Sequence, residues 1–377
     1  MTSSLVLVPR RGAGRSNMLE RQLRRYHSRF QGAVRALAMC HPRIADLGAS
    51  FPALLFALAV PRAGLDPAQA LARVIDGAAL TDVAAAAGVP MWLRKLPPEA
   101  FVRPIVRLLP DGELFRRQIA NHIPRSPRFA PTWLQAVTDV AECAHEAAAV
   151  WIARECIREP RRIKPARLRL ISLWSWFSVQ PATFGHELID RPWTPNMHIG
   201  SALAAADEWR TKIALHASLG PQPISDMWLE ASHVAGYDFV PLNSTASITE
   251  EAVAMKNCLR TYGYNLAHNG SRLWSVRRNG ERVATLRVAC RYRDPLPNIV
   301  ELKGAGNRDV SRDLWWAARQ WLHTHDLSKI DMARRKWGTV PLDRDTWLSL
   351  WRPYWLAKRR IPEWLPVAPS RSALEAL

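Results

Sequence analysis

Apolar residues recur three or four apart through most of the first 220 positions of the chain. Leu19, Leu23, Tyr26, Phe30, Val34 and Leu37 predict an amphipathic helix with an arginine-rich outer face. The run SFPALLFALAV continues the helical text. It is followed by DPAQALARVIDG, where Asp66 is placed to cap, Pro67 to open and Gly77 to close a helix. Residues 133–160 read as the longest helix, stopped by Pro160, and two further helices are predicted near 168–179 and 198–218. Residues 1–18 carry Arg10, Arg11 and Arg15 without apolar periodicity and read as a mobile basic arm, so the expected helical domain spans 19–235.

After residue 240 the period changes. SRLWSVRRNGERVATLRVACRY places Asn279-Gly280, the preferred pair of a two-residue type I′ turn, between runs rich in Val, Leu, Trp and Thr. Such a turn pairs Val276 with Val283 and Trp274 with Thr285, and puts Leu273 and Leu286 together on the other face. NIVELKG supplies a third strand, and VSRDLWWAARQWLHTH a helix with Leu314, Ala317, Ala318, Trp321 and Leu322 inward. The expected fold is therefore α+β, mainly α: a helical N-terminal domain, then a module at 240–325 with a three-stranded antiparallel meander flanked by helices. The remainder, 326–377, is a basic extension in which Trp347, Trp351 and Trp355 lie on one helix face before Lys358, Arg359 and Arg360.

Charge changes this picture most. The 377 residues hold 52 Lys and Arg against 33 Asp and Glu, a net charge of +19, which favours a polyanionic partner such as DNA or RNA. Arginine- and alanine-rich composition also follows from GC-rich coding, so charge alone leaves the partner open. Five scattered cysteines without a CxxC pair argue against a disulfide framework or structural zinc, and no run approaches the length of a membrane span. LVLVPRRGAGR has an apolar run too short for a signal peptide, so the cytoplasm is the expected location, with no cofactor and no metal.

Several motifs invite chemistry. LTDVAAAAGVPMWLRKL has the outline of a helix-turn-helix around Gly88, but Leu93 and Leu96 fall one place early for its second helix, and a plain helical hairpin accounts for the pattern. His323 and His325 are two apart and point to different sides of a helix, which does not suit metal ligation. Ser247-Ile-Thr-Glu250 fits a capping box. The helix it opens aligns Glu251, Met255, Cys258 and Tyr262 on one face, with Cys258 about two turns inside. A cysteine so placed is a core residue or, with Tyr262 and His268 near, a nucleophile. ELKGAGNR sets Glu301, Lys303, Asn307 and Arg308 around two glycines before a helix, a turn able to meet an anion although it is no Walker loop.

The ordered set Glu251, Met255, Asn257-Cys258, Tyr262, Gly270, Ala284-Thr285-Leu286, Lys303-Gly304 and Asn307-Arg308 resembles the signature of the PcfJ-like protein family over about 240–325. Asn257 stands where that signature has His, and Glu301 where it has Gln. The resemblance implies association with conjugative plasmids and mobile elements, with other proteins of such elements as partners. It singles out Glu251, Cys258, Tyr262, Thr285, Lys303, Asn307 and Arg308. Three functional classes follow as expectations. The first is a nucleic-acid-binding accessory protein using Arg272, Arg277, Arg278, Arg282, Arg287, Arg291, Arg293, Lys303 and Arg308. The second is an enzyme acting on a phosphate-bearing or amide substrate through Cys258, Tyr262, Glu251 and Asn307. The third is an interaction scaffold using the Trp-rich helix.

Overall fold

The computed structural model describes residues 18–62, 66–105, 109–291, 294–330 and 342–377. The chain divides into two compact units: Met1–Trp176 with Trp193–Leu203, and Phe177–Pro192 with Ala204–Leu377. The α+β unit therefore begins well before residue 240.

The described part of the first unit is helical. In its core Tyr26 and Phe101 stack on Phe56 and Phe30 meets it edge-on, with ring centroids 5.3–6.2 Å apart. Gly77 takes the left-handed conformation (φ 81°) that closes the helix Ala68–Asp76, as its position predicts, and Asp66 Oδ1 accepts from the Ala68 amide. The helix expected over 133–160 is two helices, Ala130–Cys143 and Glu146–Arg158. Ala144 leaves the helical region and His145 Nδ1 accepts from the Ala148 amide, so a histidine caps the second helix. Fully buried Glu155 is neutralised by Arg154 and Arg158 and accepts from the Ile199 amide at 3.0 Å. Beyond Gly88 the chain forms only a five-residue 3₁₀ turn, Met91–Lys95, with Trp92 and Leu93 buried. No recognition helix stands there.

The second unit is built on a five-stranded antiparallel sheet in sequential order, not a three-stranded meander. Its strands are β1 Ser232–Val234, β2 Tyr237–Pro241, β3 Ser271–Arg278, β4 Glu281–Arg291 and β5 Asp294–Lys303. The two unforeseen strands are short. They are joined by Ala235 and Gly236, both at positive φ, a tight hairpin without an Asn-Gly signature.

The hairpin of β3 and β4 turns at Asn279-Gly280 (φ 53° and 82°) as predicted, with Arg278 opposite Glu281 and Arg277 opposite Arg282. The register then slips: Val276 faces Ala284 and Trp274 faces Leu286, leaving Val283 as an unpaired bulge residue. Side chains alternate with period two, so one extra residue sends every later position of β4 to the opposite face from the one predicted. Trp274, Val276, Ala284, Leu286, Val288 and Leu302 share the apolar face with Phe239, and Leu314, Ala318 and Trp321 of the helix Arg312–His323 pack onto it. The Trp321 ring stacks on Phe239 at 4.6 Å and meets Trp274 edge-on at 5.2 Å.

The C-terminal tryptophans also turn inward. In the helix Arg344–Lys358, Trp347, Trp351 and Trp355 are buried, and Trp351 packs against Phe177 and Trp209. This burial removes the aromatic stripe as a surface for a scaffold. Among the described residues no helix is long and apolar enough to cross a membrane.

Candidate functional site

The face of the sheet opposite the tryptophan core is apolar at Leu273, which joins a cluster with Ile248, Ala252, Leu259 and Leu266, and polar beside it. The bulge at Val283 puts Thr285 and Arg287 on it, beside Ser275 of β3 and Glu301 and Lys303 of β5. The helix Thr245–Met255 supplies Glu251 to this face. Its cap is a box formed by Ser244 and Ser247, three residues earlier than the motif at Ser247 suggested.

Glu251 is fully buried, and both its oxygens are used: Oε1 accepts from the Thr285 hydroxyl at 3.0 Å and Oε2 from Arg282 Nε at 2.9 Å. Thr285 in turn accepts from Asn257 Nδ2 at 3.1 Å. Arg282 is thus linked through a carboxylate, a hydroxyl and an amide to the loop that carries Cys258. A buried carboxylate tolerates its site only with such partners.

Cys258 is not in the helix. The helix ends at Met255, Lys256 takes the left-handed conformation (φ 48°), and Cys258 precedes a 3₁₀ turn, Leu259–Tyr262. The thiol is exposed, so the expected stripe of Glu251, Met255, Cys258 and Tyr262 is broken after its second member. Tyr262 is brought back over the sheet. Its hydroxyl donates to Glu301 Oε2 at 2.9 Å, and Arg287 lies 4.9 Å over its ring. Burial, followed by this hydrogen bond to a carboxylate, raises the tyrosine pKa above its ordinary value. The buried Arg287 Nε, although 3.2 Å from Glu301, is not aligned to donate.

Asn257, Cys258, Tyr262, Thr285, Glu301 and Asn307 line one recess of about 20 Å³, room for about one water molecule. Three of the four predicted catalytic residues therefore share a recess, and the fourth, Glu251, stands one hydrogen bond behind it. Asn307 and Gly306 both have positive φ, which turns the chain sharply after β5. Among the described residues no group of three or more His, Cys, Asp or Glu could hold a metal ion. His325 uses both ring nitrogens within the fold, donating to the Trp321 carbonyl and accepting from the Glu230 amide.

The predicted phosphate-contact residues separate into three groups. Arg272 is a correction: it is fully buried, its guanidinium bonds the carbonyls of Asp226 and Ser271 and Asn269 Oδ1, and it stacks on Trp228 at 4.8 Å. Burial pulls its pKa down to about 10. Arg282 and Arg287 are held by Glu251 and Glu301, and Lys303 by Asp309 at 2.7 Å. Arg277, Arg278 and Arg308 reach solvent with no carboxylate partner among the described residues; Arg277 bonds the Ser275 hydroxyl and Arg278 lies over Tyr237. Arg293 and the side chain of Arg291 lie outside the described residues.

Sequence reasoning missed the ion pair of Glu251 and Arg282; it treated Asn257 only as a departure from a signature, and Glu301 as a departure and as part of a turn able to meet an anion, not as a partner of Tyr262. Each of those two bonds a residue the signature did name, Thr285 and Tyr262. A larger cavity in this unit, about 650 Å³, is lined by Arg210, Arg260, Tyr264 and Arg371 and contains none of the predicted residues. Its arginines are already paired with Asp207, Glu208 and Glu375. No protein-family model, curated protein or solved structure matches the chain.

Proposed function

We propose that the protein is a basic, PcfJ-like accessory protein of plasmid or mobile-element biology, acting in the cytoplasm, that binds DNA or RNA through phosphate contacts at one end of its sheet. The observation that carries this reading is the placement of unneutralised cations. In an antiparallel sheet the end of β3, the start of β4 and the end of β5 lie at the same edge, so Arg277, Arg278 and Arg308 gather there. Of the carboxylates nearby, Glu251, Glu301 and Asp309 are committed to Arg282, Arg287 and Lys303 and Asp238 to His233, Glu281 stands opposite Arg278, and the chain as a whole carries 19 surplus positive charges. Such a cluster releases counterions when it meets a phosphate backbone.

Affinity for a labelled oligonucleotide should fall steeply with salt. The triple variant Arg277→Ala, Arg278→Ala, Arg308→Ala should flatten the log–log salt slope by about 2–3 and weaken binding evenly across sequences. An unchanged slope removes this edge from the interface.

A second reading is favoured by one observation, the exposed Cys258 thiol sharing its recess with Tyr262, Glu301 and Asn307. In that reading Cys258 is a nucleophile toward a phosphate-bearing or amide substrate. Cys40 is also exposed and serves as an internal control. Alkylation of Cys258 with a pH midpoint well below about 8.5, and faster than Cys40, is the expected result for a nucleophile. Equal rates and midpoints make it an ordinary surface thiol.

A further inference from the structure

We infer that the outward face of the helix Arg312–His323 is a stacking surface for single-stranded nucleic acid, an inference that rests on the nucleic-acid reading above. The helix buries Leu314, Ala317, Ala318, Trp321 and Leu322 against the sheet. The opposite face carries Trp316, which is 57% exposed and the one tryptophan among the described residues that is exposed. The others fill cores or are partly covered. An indole left in water forgoes the burial that drives folding, and the interior packing of this helix is complete without it.

The neighbours of Trp316 fit a polyanion that carries aromatic rings. Arg312 lies one turn before it and Arg319 one turn after, both exposed and both without a carboxylate partner among the described residues. Arg319 also sits 6.0 Å over the half-buried Trp315 ring, and exposed Gln320 completes the patch with an amide able to meet base edges. The single acid of the helix, Asp313, adjoins Trp316 as well, in the first turn where the helix dipole favours it. Arg308 ends the turn before this helix, four residues ahead of Arg312, so the basic sheet edge continues along the chain into this face.

An aromatic ring between two cations offers a base a π-face and its flanking phosphates a charge, which is how strands are bound without reading their sequence. A duplex already stacks its bases on one another and leaves no free face for the indole. The partner chemistry is therefore a single strand.

The test measures binding of the full chain to a labelled oligothymidine and to a duplex of equal length, across a salt series. Wild type should prefer the single strand. Trp316→Ala should weaken single-strand binding on the order of tenfold without changing the salt slope, since stacking releases no counterions. Trp316→Phe should recover most of the loss. The pair Arg312→Ala, Arg319→Ala should instead flatten the slope, and the duplex affinity should move less than twofold in Trp316→Ala. Urea unfolding of each variant should match wild type, because all three side chains are exposed.

If wild type binds neither probe, the nucleic-acid reading itself fails. Wild-type binding that survives Trp316→Ala unchanged overturns the stacking surface alone. An equal loss on duplex and single strand overturns the assignment to single strands.

Discussion

Replacing Arg272 by alanine is expected to unfold the α+β unit or to bring it close to unfolding. The side chain has no exposed surface, and its guanidinium ties the remote segment at Asp226 to the chain immediately before β3. It bonds the Asp226 carbonyl before β1, Asn269 at the end of the segment before β3, and the Ser271 carbonyl within β3. Two of the residues it fixes, Trp228 and Asn269, have positive φ, which costs energy that surrounding contacts must offset. Alanine would remove a charged donor from three buried or partly buried acceptors at about 1–3 kcal/mol each, in addition to the space vacated under Trp228. The sum, on the order of 4 kcal/mol, is a large share of the 5–15 kcal/mol typical of a domain. Arg272→Lys should recover little, because an ammonium cannot reproduce the planar fork. Urea unfolding followed by circular dichroism decides the matter, and a loss under about 0.5 kcal/mol would show that the buried guanidinium is dispensable.

The second large effect is expected at Glu251. Alanine there removes the closer partner of Arg282 and the acceptor of the Thr285 hydroxyl together, at a cost of about 3 kcal/mol, near the lower end for breaking a buried pair because Arg282 keeps Glu250 at 3.7 Å and can turn to water. Glu251→Gln keeps an acceptor for Thr285 and should cost about half as much. In a double-mutant cycle Glu251→Ala with Arg282→Ala should show a coupling of about 1–3 kcal/mol. Additive losses would mean that the carboxylate acts through Thr285 alone. Because Thr285 holds Asn257, Glu251→Ala should also speed alkylation of Cys258 by loosening its loop.

The parts of the fold that could be read beforehand are those set by local chemistry. Asn279-Gly280 specified its turn because few other pairs accept two positive φ values, and the inward residues of the helix Arg312–His323 followed from spacing alone. The tryptophans of the C-terminal helix packed inward for the same reason. Features set by distant partners were not legible. Nothing in Lys256 announces a left-handed residue, so spacing alone carries the helix of Glu251 through Cys258 and puts the thiol about two turns inside a helix it does not belong to.

Charge misled in a similar way. Arg272 and Arg278 are the same residue type six positions apart in one strand, yet one is a buried clamp and the other a surface cation. Strand alternation alone does not separate them, since even-numbered neighbours such as Trp274 and Val276 are buried too; what separates them is the distance from the turn. The cluster around Thr285 was anticipated only as an ordered set of residues in a resemblance, and its geometry depended on a bulge that no spacing rule announces.

That bulge makes the recess a property of counting as much as of composition. Inserting one residue between Ala284 and Thr285 would leave every side chain of β4 chemically unchanged, yet in a ladder that kept its pairing with β3 it would carry Thr285 and Arg287 into the tryptophan layer and bring Leu286 out to meet Glu251. Insertions and deletions in this hairpin are therefore a harsher class of change than most substitutions. An alignment of the hairpin with any other sequence that sets its gap one position wrong would exchange the inside of this unit with its outside.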